Sequence, residues 1–146
     1  MRSVLFGFGL ALSAAACSSD LTSGLPGPVV GNGVAITTRL GGQGPSGDTV
    51  TIHVANGGTA NAYLPQCGNA PLLLTQQFVN GQWIGGVQNF MCIASLEPGP
   101  VIVPPAGSVD VVRIFQPGRY RVSVAVGTDF NLSNATPALS AAFDTP

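Results

Sequence analysis

Three cysteines, a single histidine and a handful of arginines are the side chains of this 146-residue chain whose chemistry reaches beyond packing. Cys17 ends an apolar N-terminal run, whereas Cys67 and Cys92 lie far downstream. In an oxidising compartment thiols pair, so an odd count asks for a separate role for one of them. Cys67 and Cys92 flank a β-hairpin signal and are expected to form a disulfide, with Cys17 set apart. Nucleophilic catalysis needs a base beside the nucleophile, and His53 is the one imidazole present. His53 falls in the polar phase of a strand among Thr49 and Thr51, which reads as a strand-surface residue. One histidine, two oxidised cysteines and scattered acids give no zinc or calcium ligand spacing. Gly31-x-Gly33 and Gly41-Gly42-x-Gly44 are turn glycines without a following helix, not phosphate loops. No catalytic residue, metal, cofactor or small-molecule substrate is therefore expected. Arg119 and Arg121 share one strand face, with Arg113 expected on a neighbouring strand. Such a cluster either contacts a small anion or carboxylate, or pairs across strands with Asp110 or another acid.

The N-terminus reads as an address. Met1-Arg2-Ser3 is a short basic start, and Val4 to Ala16 is an apolar run too short to span a bilayer as a helix. Leu12-Ser13-Ala14-Ala15-Ala16-Cys17 resembles the lipobox of bacterial lipoproteins, in which the cysteine thiol takes a diacylglyceryl group. It departs from that pattern at Ala14, where the family carries Leu; Leu12 stands two places earlier. Ala14-Ala15-Ala16 equally fits an A-x-A secretory cleavage site, and both readings begin the mature chain at Cys17. The resemblance implies lipidation of Cys17 and a place in the bacterial cell envelope. Ser18 in second position resembles the outer-membrane sorting pattern if the cell is Gram-negative; the alternative is secretion. The expected organisation is a signal peptide over residues 1–16, a flexible tether over 17–32 and a folded domain over 33–146. The tether is rich in Ser, Gly and Pro, although Val29 and Val30 have the character of a capturable edge strand.

The domain must bury a core with few charges and abundant Gly, Pro and β-branched residues, which favours strands and turns. There is no lysine and no basic run, so neither nucleic acid nor an anionic membrane surface is an expected partner. Val34, Ile36, Thr38 and Leu40 alternate with smaller and polar residues, as do Val50, Ile52 and Val54, the mark of half-buried strands. Gly41 to Gly47 breaks the chain between them, and Asn56-Gly57-Gly58 turns it again. Ala62 to Pro65 is a short strand. Leu72 to Val79, Asn80-Gly81 and Gln82 to Phe90 form a hairpin whose type I′ turn sets Val79 against Gln82, Phe78 against Trp83 and Gln77 against Ile84. That register leaves Cys92 two residues out of step with Cys67, a slip for a bulge at Gly85-Gly86 or a bend at Pro71 to absorb. Val101 to Val103 is a short edge strand and Pro104-Pro105-Ala106-Gly107 a tight turn. Val109 to Phe115 is apolar on both faces and reads as a central strand. Tyr120, Val122, Val124 and Val126 form one apolar face, Asp129 to Pro137 a polar loop, and Leu139, Ala141 and Phe143 a last strand.

About seven to nine short strands with Gly/Pro turns predict an all-β, antiparallel Ig-like sandwich following an unstructured tether. Gly118-x-Tyr120-x-Val122 resembles the tyrosine corner of immunoglobulin-like domains. With Trp83 as a core aromatic, residues 33–146 resemble the Ig-like and fibronectin III-like sandwiches of bacterial lipoproteins. The bridge expected here crosses one hairpin rather than two sheets, so the resemblance implies the sandwich and not a true Ig domain. Its functional implication is a non-enzymatic, lipid-anchored interaction or structural module with a protein partner in the envelope. Contacts are expected at loops 41–47, 97–105 and 128–137, taken as sharing one end, or at an exposed edge strand. An alternative is a proteinase inhibitor resembling the BsuPI-like family, with the 97–105 loop entering a protease cleft. Asn131-Leu132-Ser133 and Asn134-Ala135-Thr136 match the glycosylation sequon, here a chance match.

Overall fold

The computed structural model describes residues 27–87 and 99–146, and these form an all-β, antiparallel sandwich. One sheet has the order β1 (Val34–Gly44), β2 (Gly47–Asn56), β9 (Ser108–Phe115). The other runs β11 (Thr136–Leu139), β10 (Gly118–Val126), β6 (Leu74–Val79), β7 (Gln82–Val87), with β12 (Phe143–Thr145) also on β10. Two small ladders join β3 (Ala62–Leu64) to β8 (Val101–Val103) and β4 (Gln66–Cys67) to β5 (Ala70–Pro71). Among the described residues there are twelve strands, more than the seven to nine expected, because five are only two or three residues long.

The period-two strands place their apolar phase inward. Val34, Ile36, Val50, Ile52 and Val54 from one sheet meet Tyr120, Val122, Val124, Val126 and Ala138 from the other. Near one end Phe115, Tyr120 and Phe143 form an aromatic cluster, with Phe115 4.9 Å from Tyr120 and 5.3 Å from Phe143, ring centre to ring centre. The 80–81 hairpin has the expected register, Val79 with Gln82, Phe78 with Trp83 and Gln77 with Ile84. Asn80 and Gly81 both take positive φ, 50° and 83°, as a type I′ turn requires.

Five expectations are corrected. Residues 41–47 are not a loop: β1 continues to Gly44, turns at Pro45-Ser46 and returns in β2, with Gly41-Gly42 as a bulge opposite Thr49. Val109–Phe115 is not central. Among the described residues it pairs only with β2, and its outward Val112 and Ile114 are 57% and 62% exposed. Trp83 is outside the core, because Gln77 and Ile84 take the inward phase of the hairpin and leave Phe78 and Trp83 outward. The last strand is two, β11 and β12. Buried Ser140 interrupts them, its Oγ accepting from Val122 N at 2.9 Å and donating to Ala141 O at 2.8 Å. β11 also begins earlier than expected, taking in Thr136 and Pro137.

The bulge at Gly85-Gly86 is where it was expected, since Gln76 faces Gly85 while Thr75 faces Val87. Its sense is opposite, however: it lengthens β7 against β6 and increases the offset from Cys67. The small β4–β5 hairpin folds Cys67 back beside Ala70. Cys67 is disulfide-bonded. Cys92 and Cys17 lie outside the described residues, as do residues 1–26, over which the signal peptide and most of the tether are expected. Val29 is captured at the edge of β11, exchanging two backbone hydrogen bonds with Leu139.

Ala106 holds a φ of 57° in the Pro104–Gly107 turn, which is closed by Gly107 N donating to Pro104 O at 2.9 Å. A β-carbon in that region costs about 1–2 kcal/mol, against about 0.4–1 kcal/mol for the extra unfolded-state freedom of glycine. Ala106→Gly is therefore expected to stabilise the domain by roughly 0.5–1 kcal/mol, read as a rise in urea midpoint with unchanged slope.

Candidate functional site

The strands that end each sheet among the described residues, β9 and β7, lie on the same side of the sandwich, and a cleft of about 390 Å³ opens beside them. Its size falls in the range of ligand-binding cavities. The Phe115–Tyr120 aromatic pair lines it, with Thr75 and Gln77 of β6. At its mouth stand Ile84 of β7 and Ile114 of β9, 49% and 62% exposed. Arg113 reaches the cleft because it shares the inward phase of β9 with Val111 and Phe115. Burial lowers the Arg113 pKa and raises that of Tyr120, disfavouring the charged form of each. Gln116 sits beside them, fixed by its Nε2 donating to Ser46 O at 2.8 Å and by its carbonyl accepting from Thr145 Oγ1 at 2.6 Å.

This arrangement brings together apolar side chains, Arg113, amide groups and the strands that end each sheet among the described residues. The single histidine is elsewhere. His53 stands on the outer face of β2, its Nδ1 2.6 Å from Asp110 Oδ1, with both side chains largely exposed. Among the described residues no three of His, Cys, Asp and Glu gather as metal ligands.

The arginines expected to share one patch are split between the two sheets. Arg113 is on β9, which does not neighbour β10. Arg119 and Arg121 do share the outer face of β10. Arg119 Nε lies 3.8 Å from Asp144 Oδ1, and Arg121 Nε donates to Gln76 Oε1 at 2.6 Å. Of the acids expected to pair across strands, Asp110 is taken by His53, while Asp144 stands opposite Arg119.

The loops also divide. The 45–46 turn lies with Gln116 and Pro117 at one end, while the 99–105 and 128–135 segments lie at the other, beside Asn32, Gly33 and the 56–61 turn. Within 99–105, Val101–Val103 is hydrogen-bonded strand with Val103 buried, which leaves Ile102 as its exposed apolar residue. In the 128–135 loop the Asp129 carboxylate accepts from Ser133 N at 3.0 Å and Asn131 N at 2.9 Å. These bonds, those to Ser133 foremost, hold its pKa below the usual aspartate range. A depressed folded pKa means the loop bonds contribute fully above the unfolded value, about 4, and are lost as pH falls through the folded one. Loss of amide-exchange protection, relative to the intrinsic rate at each pH, is expected at Asn131 and Ser133 on acidification and not in Asp129→Asn.

The cleft residues Thr75, Gln77, Ile84, Gln116 and Tyr120 were not singled out as a site by sequence. The available signal was the two-faced apolar pattern of β9 together with Gln76-Gln77 inside an otherwise apolar strand. No family model matches the chain, and no curated protein matches it. Among solved structures it is similar to target SoR45 of the Northeast Structural Genomics Consortium. The identity is 16%, the coverage 75% of this chain and 81% of that one, and the TM-score 0.42.

Proposed function

We propose that this protein is a non-enzymatic, lipid-anchored module of the bacterial cell envelope that captures an extended segment of a partner protein along its open β9/β7 side. The single observation that carries the interaction reading is the cleft there, with Ile84 and Ile114 exposed at its mouth and Arg113 within it. A free edge strand offers unpaired backbone groups to an incoming strand, while flanking pockets read alternate side chains. Isolated exposed apolar residues are ordinary; two at the rim of one cleft, on strands that end their sheets among the described residues, suit a contact surface. The anchor rests on the lipobox-like Leu12–Cys17 segment, with residues 18–28 as spacer and Cys67–Cys92 as a disulfide beside the hairpin.

A photo-crosslinking residue placed at Ile114 in the full chain in its native membrane tests this reading. A discrete adduct is expected there and not from Thr37, which is exposed on the outer face of β1. Equal labelling from both positions, or none from Ile114, would contradict it. Ile114→Asp is expected to weaken capture by about tenfold or more, from the apolar burial lost. Because Ile114 is exposed, the same change should leave folding stability within roughly 0.5 kcal/mol.

A further inference from the structure

On the opposite face of the β10–β6–β7 sheet, away from the cleft, the side chains are arranged for a different ligand. Arg119 pairs with Asp144 of β12, and Phe78 with Trp83 across the hairpin, so these residues form one row across the sheet. Arg121, Gln76 and Gly85 form the next. The Arg121 guanidinium carbon lies 4.4 Å from the centre of the Trp83 ring, and its Nε is bonded to Gln76 Oε1. The Trp83 ring is in turn braced by Phe78 at 5.1 Å, tilted 55°. Stacking and one hydrogen bond thus fix the guanidinium plane and leave its two terminal nitrogens as a fork, the geometry that takes a carboxylate bidentately.

Arg119 is incompletely neutralised. Asp144 is 3.8 Å from its Nε, beyond hydrogen-bonding distance, and that Nε and Trp83 Nε1 are buried donors without an acceptor. Two of the chain's five basic residues therefore stand two positions apart on one face of one strand. Side chains at that separation on a strand repeat every 6.7 Å or so. Carboxylates at alternate positions of an extended polypeptide have the same repeat.

We propose that Arg121, held by Trp83 and Gln76, and Arg119 form a docking site for an extended acidic polypeptide segment with carboxylates at alternate positions. The matched repeat favours a polypeptide over an acidic glycan, whose carboxylates are spaced by sugar rings. Charge complementarity supplies the attraction, and the preset Arg121 fork lowers the ordering cost of forming the contact.

Trp83 is the sole tryptophan, so its fluorescence reports on this site alone. The test is a titration of the full chain at low salt with a synthetic peptide of alternating Thr and Glu, read by fluorescence and calorimetry. Saturable binding is expected, with loss for the Gln counterpart and weakening as salt screens the charges. Arg121→Lys, which keeps the charge but not the fork or the stack, should weaken binding by about tenfold, as should Arg121→Gln. Arg119→Gln should weaken it several-fold. Unchanged thermal unfolding of the variants shows that they remain folded. No binding by either readout would overturn the proposal. So would full affinity in Arg121→Lys, or binding of oligogalacturonate as tight as that of the peptide.

Discussion

Replacing Asn56 with Ala is expected to cost about 3 kcal/mol of folding stability, out of the 5–15 kcal/mol typical of a domain. Asn56 is the buried last residue of β2, and every polar atom of its side chain is engaged. Nδ2 donates to Ala60 O and Val103 O, both at 2.8 Å, and Oδ1 accepts from Gly58 N at 2.9 Å. Its backbone joins the 104–107 turn, with Asn56 N donating to Gly107 O and Ala106 N donating to Asn56 O. One side chain thus ties the end of β2 to the 56–60 turn and to β8. Truncation removes all three side-chain bonds at once, in a buried setting where unmet polar groups cost most. Asn56→Asp sharpens the test because the shape is kept and the donors are lost. A carboxylate facing two carbonyls is expected to be at least as destabilising at pH 7 as the Ala variant. Its folded pKa would be raised, so stability should partly recover as pH falls and the protonated carboxyl regains one donor. Urea unfolding of the three proteins at pH 7 and pH 5 reads both effects, and a loss below about 1 kcal/mol for Asn56→Ala would contradict this role.

Gly47→Ala is the second large effect, expected to exceed about 3 kcal/mol. Gly47 opens β2 with φ 123°, and a β-carbon there would lie 2.3 Å from the Phe115 carbonyl oxygen. The obstacle is backbone, so it cannot rotate away; the β2–β9 ladder around Asp48 and Phe115 would have to shift. Gly81 provides the contrast, with φ 83° but nothing within 4 Å of an added β-carbon. Gly81→Ala should cost only the conformational strain, about 1–2 kcal/mol. Gly42 has open space and no positive φ, and Gly42→Ala should be neutral to within roughly 0.5 kcal/mol. The order of the three midpoints is the decisive observation: a Gly47 variant no worse than the Gly81 variant would mean the close approach is not rigid.

What could be read from the chain alone followed the range of the interactions involved. The Asn80-Gly81 register and the inward phases of β1, β2 and β10 are local patterns, and they were legible because side-chain alternation and positive-φ turn chemistry act within a few residues. Strand β9 was misread because apolar residues on both faces look alike whether they are covered or exposed. Only its place at the end of the β1–β2–β9 ladder separates the two cases. Trp83 was misplaced for a related reason, since hydrophobicity argued for the core while the hairpin phase sent Gln77 and Ile84 inward. The cleft brings Arg113 and Ile114 beside Gln77 and Ile84, residues about thirty positions apart and on different sheets. No short-range pattern encodes that meeting. The grouping of Arg113 with Arg119 and Arg121 failed on the same ground, whereas the shared face of Arg119 and Arg121 followed from their spacing alone.

The proposed anchor and the division of the cysteines meet in one measurement, the intact mass of protein extracted from its native membrane and alkylated before and after reduction. The expected result is a chain beginning at Cys17 that carries a diacylglyceryl group, with Cys67 and Cys92 alkylated only after reduction. An unlipidated chain in which Cys17 alkylates without reduction would contradict the membrane anchor and leave a secreted protein.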